Sequence, residues 1–193
     1  NVVINAGGDF NRTSGTITTT AGSLTITGDN VTVGGITVSG ASKNINITAS
    51  AAASTFVVNG DISVNSGAMT LTPNNEGTFN QTSGTISSTT GTIEIRNSEF
   101  GWGQTENSLT VGNITSGGTL NIHYIPYSIT INGNLSAAGS IFMDYCGSLT
   151  VNADVTTSSG SISMIGSDAT SFNQTAGTIS TTGSGTSISL IGA

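Results

Sequence analysis

Apolar residues recur along this chain in alternating pairs: Val2/Ile4, Leu24/Ile26, Ile45/Ile47, Met69/Leu71, Ile93/Ile95, Leu120/Ile122, Ile141/Met143, Ile162/Met164 and Ile188/Leu190. The residue between the two members is usually polar. The pair therefore faces one way and its middle residue the other, which is the period of a strand and not of a helix. Two more columns run in phase with the pairs. One holds a single aliphatic residue at mid-repeat: Ile17, Ile36, Ile62, Ile86, Ile114, Leu135, Val155 and Ile179. The other lies upstream, at Phe10, Val31/Val33, Phe56/Val58, Phe79, Leu109/Val111, Ile129/Ile131, Leu149/Val151 and Phe172. Three short strands per repeat, separated by Gly, Asn, Ser and Thr, predict one coil of a parallel β-solenoid. The repeat is roughly 20 to 26 residues long and restarts about eight times, so residues 1–193 read as one all-β domain without a linker. Right-handed winding is expected, because crossovers between parallel strands strongly favour that hand. Stacking coils about 4.8 Å apart turns each column into a continuous apolar ladder inside the tube. No single coil can bury its own apolar residues, but a stack of them can.

Composition supports the pattern. Gly accounts for 27 of the 193 residues, and Ser plus Thr for roughly three in ten, well above ordinary usage. A polar chain of this kind could be disordered, but disorder would not carry three phased apolar columns. Ten acidic residues stand against Arg12, Lys43 and Arg96, for a net charge of -7. That balance is the reverse of a nucleic-acid footprint. No apolar run approaches the ~20 residues that span a membrane. Cys146 has no second cysteine to pair with, and neither a zinc spacing nor a calcium-binding glycine repeat is present. No cofactor or metal is implied. GxSxG, HExxH and P-loop motifs are lacking too, and the expectation is a protein that is not an enzyme.

Segments such as Gly147 to Gly166 (GSLTVNADVTTSSGSISMIG) and Asn107 to Ile122 (NSLTVGNITSGGTLNI) resemble the repeats of filamentous-haemagglutinin-like adhesins, exoproteins of two-partner secretion systems. The resemblance covers nearly the whole chain. It implies a secreted, elongated β-helix at the cell surface, serving as the shaft that displays a receptor-binding tip, with host-cell or matrix carbohydrate or protein as a possible partner. The chain opens at Asn1 inside the last strand of an incomplete coil, and neither end shows a helix, charge run or proline to cap it. An uncapped rung is a template for another rung. Continuation in a longer chain, or head-to-tail self-association into a filament, is therefore expected.

Three coils share a signature: Phe10 to Ile17 (FNRTSGTI), Phe79 to Ile86 (FNQTSGTI) and Phe172 to Ile179 (FNQTAGTI). They read as wider rungs whose aromatic ring fills the tube. Asp61 and Asp154, with Asn113 and Asn134 at matching places, read as a turn column in which each side chain bonds its own backbone. Sequons at Asn11, Asn30, Asn46, Asn80, Asn113, Asn134 and Asn173 are no more frequent than this Ser/Thr content gives by chance, so they are no evidence of glycosylation.

One region breaks the monotony. An insertion, Asn97 to Glu106, holds Phe100 and Trp102, and the next two coils close with His123, Tyr124, Tyr127 and then Asp144, Tyr145. Arg96, His123 and Asp144 each follow the last inward residue of their coil by one, so they are expected to stack on successive rungs about 5 Å apart. Aromatic residues beside a few charges suit stacking on sugar rings or anchoring a protein. The plainer alternative is a small satellite core with a surface ion pair. A His beside an Asp without a nucleophile completes no triad. Two other functions remain open: carbohydrate binding or degradation at this region, and ice binding by Thr-rich strands such as Thr16, Thr18 and Thr20. The outward residues of the closing strand, running from Thr25 through Asn46, Thr70, Glu94, Asn121 and Phe142, make no uniform Thr ladder.

Overall fold

In the computed structural model, which describes residues 1–74, 76–97, 108–125, 128–145, 147–166 and 171–191, the chain is a parallel β-solenoid. Every strand pairing is parallel and joins equivalent segments of successive coils. The described residues contain no helix. Closing strands, from Val2–Asn5 to Ile188–Ile191, stack into a nine-stranded sheet. First and middle strands share a fourteen-stranded sheet. They share it because in the first two coils, counted from Phe10, they run together as single strands, Phe10–Thr19 and Val31–Val38. The expected three strands per coil hold from the third coil on, starting with Thr55–Asn59, Ile62–Val64 and Met69–Thr72.

All three apolar columns are in register. Ile36, Ile62, Ile86, Ile114, Leu135 and Val155 pair one with the next, and none is more than 1% exposed. The paired columns of the closing strand behave alike, from Leu24/Ile26 to Ile162/Met164. Each repeated aliphatic residue thus buries its side chain against the coils above and below, which contributes about 1.5–3 kcal/mol per side chain.

A fourth inner column is mixed, with buried Val38, Val64 and Ala137 in register with hydroxyl residues. Thr19, Ser88, Ser116 and Thr157 are its polar members, buried at the second inward position of the middle strand, two residues after the aliphatic one. Their hydroxyls are satisfied by backbone groups of the corner in their own coil or in the preceding one. Ser116 Oγ donates to the Gly91 and Thr119 carbonyls at 3.1 and 3.0 Å, Thr157 Oγ1 to the Gly160 carbonyl at 2.6 Å, and Ser88 Oγ accepts from Gly91 N–H at 2.8 Å. A buried hydroxyl with a partner carries no desolvation penalty of the unpaired kind.

One expectation needs correction and a second needs sharpening. The Asp/Asn column does not close turns on its own backbone. Asp61 Oδ1 accepts the N–H of Thr85 at 2.8 Å, Asn113 that of Asn134 at 2.9 Å, Asn134 that of Asp154 at 3.2 Å and Asp154 that of Thr178 at 2.8 Å. Each side chain reaches the corner of the next coil, because a sheet corner leaves an N–H without a strand partner and the coil spacing lets a short side chain reach it.

The second concerns the signature coils. Phe79 is buried and its ring lies 5.1 Å from that of Phe56, at an interplanar angle of 37°. Phe10 and Phe172, on the first and last coils, are partly buried and pack against the same core, but Phe56, from a coil without the signature, fills the tube equally well. What distinguishes the signature is one extra residue and a polar inward position. Register shifts after Val58↔Gln81 so that Asn59 meets Ser83, and Gly84 takes up the extra residue at a φ of 78°. Gly15 and Gly177 repeat that conformation at 74° and 75°, which a side chain would oppose.

Candidate functional site

The outer face of the closing strands changes character along the molecule. One outward column runs Thr27, Thr48, Thr72 and then, on later coils, Arg96 and His123, followed by Asp144, Ile165 and Ile191. Its neighbour runs Thr25, Asn46, Thr70, Glu94, Asn121, Phe142, Ser163 and Ser189. Small hydroxyl and amide side chains thus give way to charged and apolar ones.

Arg96 and His123 are Cα partners on adjacent coils, as expected. Between the next two coils the register shifts: Ile122 meets Met143, but Ile125 meets Tyr145. Three steps on one strand therefore face two on the other, a bulge of the type that re-aims side chains. Across it His123 Nδ1 lies 3.1 Å from Asp144 Oδ2. The His123 and Asp144 side chains are 24% and 51% exposed, so solvent screens the pair. On the preceding coil Arg96 Nε sits 3.7 Å from Glu94 Oε2. Beside these two pairs the Phe142 side chain stands 41% exposed on the sheet.

The structure therefore brings together Arg96, His123 and Asp144, with Glu94, Asn121 and Phe142 alongside. Phe100, Trp102 and Tyr127 lie outside the described residues, as do the side chains of Tyr124 and Tyr145 and all of Cys146. Among the described residues no group of three or more His, Cys, Asp or Glu is arranged to hold a metal ion. No helix among them is long and apolar enough to cross a membrane.

Three features escaped sequence reasoning. Gln81 reads as one more polar residue, yet it is buried at 6% exposure with both ends of its amide bonded. Asn97, at the mouth of the insertion, is 4% exposed, and neither of its amide atoms has a hydrogen-bond partner among the described residues. The third is a uniform hydroxyl column on the middle strand rather than the closing one: Thr18, Thr37, Ser63, Ser87, Thr115, Ser136, Thr156 and Ser180. A shallow groove of about 230 Å³ runs over Thr37, Ser63 and Ser87, flanked by Ser39, Asn65 and Thr89. Only its period of two could have marked the column, since Ser and Thr also occupy inward and corner positions here.

Comparison with protein-family models, curated proteins and solved structures finds no match to this chain.

The solvent-screened His123–Asp144 contact is expected to contribute little to stability. A double-mutant cycle with His123→Ala and Asp144→Ala is expected to return a coupling below about 1 kcal/mol, read from urea denaturation. A coupling of several kcal/mol would mean the two side chains are far less hydrated than this face allows.

Proposed function

We propose that this chain is a structural, non-catalytic shaft segment of a secreted bacterial surface adhesin or extracellular filament. The observation that carries the reading is the register: the inner columns stay aligned from Leu24 to Met164 while the corners are tied, coil to coil, by side-chain acceptors. A tube of this kind is quasi-one-dimensional, and its length grows by adding coils without enlarging a core. Load along the axis is shared among parallel ladders of backbone hydrogen bonds. The resemblance of the repeats to filamentous-haemagglutinin-like adhesins points the same way.

Both end rungs expose apolar columns that interior coils bury, with Val2 at 40%, Ile188 at 43% and Leu190 at 42% exposure. Such faces suit head-to-tail contact between copies of the chain. Light scattering on the isolated chain, together with electron microscopy and chain-length analysis of native extracts, tests this. Concentration-dependent filaments, or a longer native chain, support the shaft. A strictly monomeric protein with no longer chain or fibre in the extracts overturns it.

A second reading, a contact patch for carbohydrate or protein, is favoured by Phe142 beside the His123–Asp144 pair. An aromatic side chain among polar neighbours on a flat sheet can stack on a sugar ring. Binding to immobilised neutral polysaccharides that Phe142→Ala abolishes would support it, and equal binding by both proteins would remove it.

A further inference from the structure

We propose that the solenoid consists of two blocks of coils, one ending at Asn97 and the other beginning at Ser108, joined at a seam that opens before either block unfolds and is clamped by Gln81. The first-strand ladder across this boundary contains two residue pairs, Phe79↔Leu109 and Asn80↔Thr110. The three boundaries that follow contain four each. Ser108 and Val111 are the two that do not pair back, and at Val111 the ladder is interrupted by the signature bulge that follows Gln81.

At the later boundaries the residue after the first strand donates its N–H to a backbone carbonyl one coil back. Asn132 bonds Val111 at 2.8 Å, Asn152 bonds Ile131 at 2.9 Å and Thr175 bonds Val151 at 2.9 Å. At the seam that carbonyl is replaced by a side chain. Gly112 N–H donates to Gln81 Oε1 at 3.0 Å, and Gln81 Nε2 donates to the carbonyls of Asn113 at 3.0 Å and Gly84 at 2.9 Å. One flexible amide thus does what a fixed strand edge does elsewhere. Gln174 makes the same inner bond to the Gly177 carbonyl at 2.8 Å, so the clamp geometry belongs to the signature and not to a single coil.

Asn97 adds an independent bias toward opening. It stands two residues past Ile95, where earlier coils place Gly28, Ala49 and Pro73 two past their own second apolar residue. Both its amide atoms are buried and have no partner among the described residues. A buried polar group without a partner destabilises the closed form relative to any state in which water reaches it. Opening at this corner hydrates Asn97, and no other described residue holds a buried side-chain polar atom without a partner. Ile93↔Leu120, Ile95↔Ile122 and Ile86↔Ile114 still hold the blocks in register, so the joint can reclose.

The proposal draws on the shaft reading only for its use, as a joint that yields under load before a coil core is lost. The seam itself is tested on the whole isolated chain by native-state hydrogen exchange, which reports local opening wherever it occurs. The Gly112 amide is expected to be protected roughly tenfold less than those of Asn132 and Asn152. Asn97→Leu removes the orphan amide without removing a bond, and it should slow Gly112 exchange while leaving Asn132 unchanged. Gln81→Leu should speed exchange at Gly112 alone. Should Gln81→Leu fail to fold, Asn97→Leu decides by itself. Equal protection of Gly112 and Asn132 in the parent, or no slowing by Asn97→Leu, overturns the proposal. Neither result touches the light-scattering test of the shaft.

Discussion

Ile86→Asp is expected to cost the solenoid several kcal/mol, whereas Ser87→Asp, one residue on, is expected to leave its stability nearly unchanged. Ile86 is fully buried and sits in register between Ile62 and Ile114. A carboxylate there has no cation and no hydrogen-bond donor in the column, so it must either stay charged in an apolar tube or take up a proton. A loss of about 3–5 kcal/mol, typical of an unpaired buried charge, is a large part of the ~5–15 kcal/mol that holds an ordinary domain together. Ser87 points outward between Ser63 and Thr115. A charge there stays hydrated, and outward changes are usually within about 0.5 kcal/mol. Urea denaturation followed by circular dichroism measures both. Because a strand repeats every two residues, equal losses at the two sites would mean that the inward and outward faces are exchanged.

This contrast rests on the part of the fold that was legible. The apolar columns could be read because each inward position repeats in every coil and because Ile, Leu, Val and Phe have no reason to recur on a solvated face. Every residue of the Ile17 to Ile179 column was placed correctly from spacing alone. Polar positions carried no such signal. Ser116 and Ser136 lie in neighbouring coils of the same strand family, yet Ser116 is buried against the Gly91 carbonyl and Ser136 faces outward. Gln81 and Asn97 are opaque for the same reason. Whether a buried amide is bonded depends on where the next coil brings its corner, and that follows from bulges no local pattern announces.

The candidate site was legible to a similar depth. Counting from Ile95, Ile122 and Met143 was enough to place Arg96, His123 and Asp144 together. It could not foresee that a slipped register would bring His123 to Asp144 while Arg96 turned to Glu94 on its own strand. Residue identity fixed the face, and the bulge chose the partners.

Gly91→Ala is the second substitution expected to cost a great deal, although it adds a single methyl group. Two residues before the closing strand the chain turns a tight corner, and successive coils place Gly67, Gly91, Gly118, Gly139 and Gly160 there. A Cβ on Gly91 would lie 1.8 Å from the carbonyl oxygen of Gly67, and one on Gly67 would lie 1.8 Å from that of Lys43. The obstacle is backbone and not the tip of a side chain, so no rotamer relieves it. Nor can the corner swing outward freely, because Ser88 Oγ holds the Gly91 N–H and Ser116 Oγ holds its carbonyl. The coils must separate locally, which breaks those bonds and strains the buried ladder at Met69 and Ile93. The expected cost is about 3 kcal/mol or more, at the upper end of overpacking effects. Gly8→Ala is the control: nothing lies within 4 Å of its added Cβ, and loss of glycine's unfolded-state freedom should make it neutral or stabilising by up to about 1 kcal/mol. Thermal and urea unfolding of the two variants should therefore diverge in opposite directions from the parent. If Gly91→Ala instead tracks Gly8→Ala, the glycine column is a matter of turn composition, and close approach between coils is not what keeps side chains out of that corner.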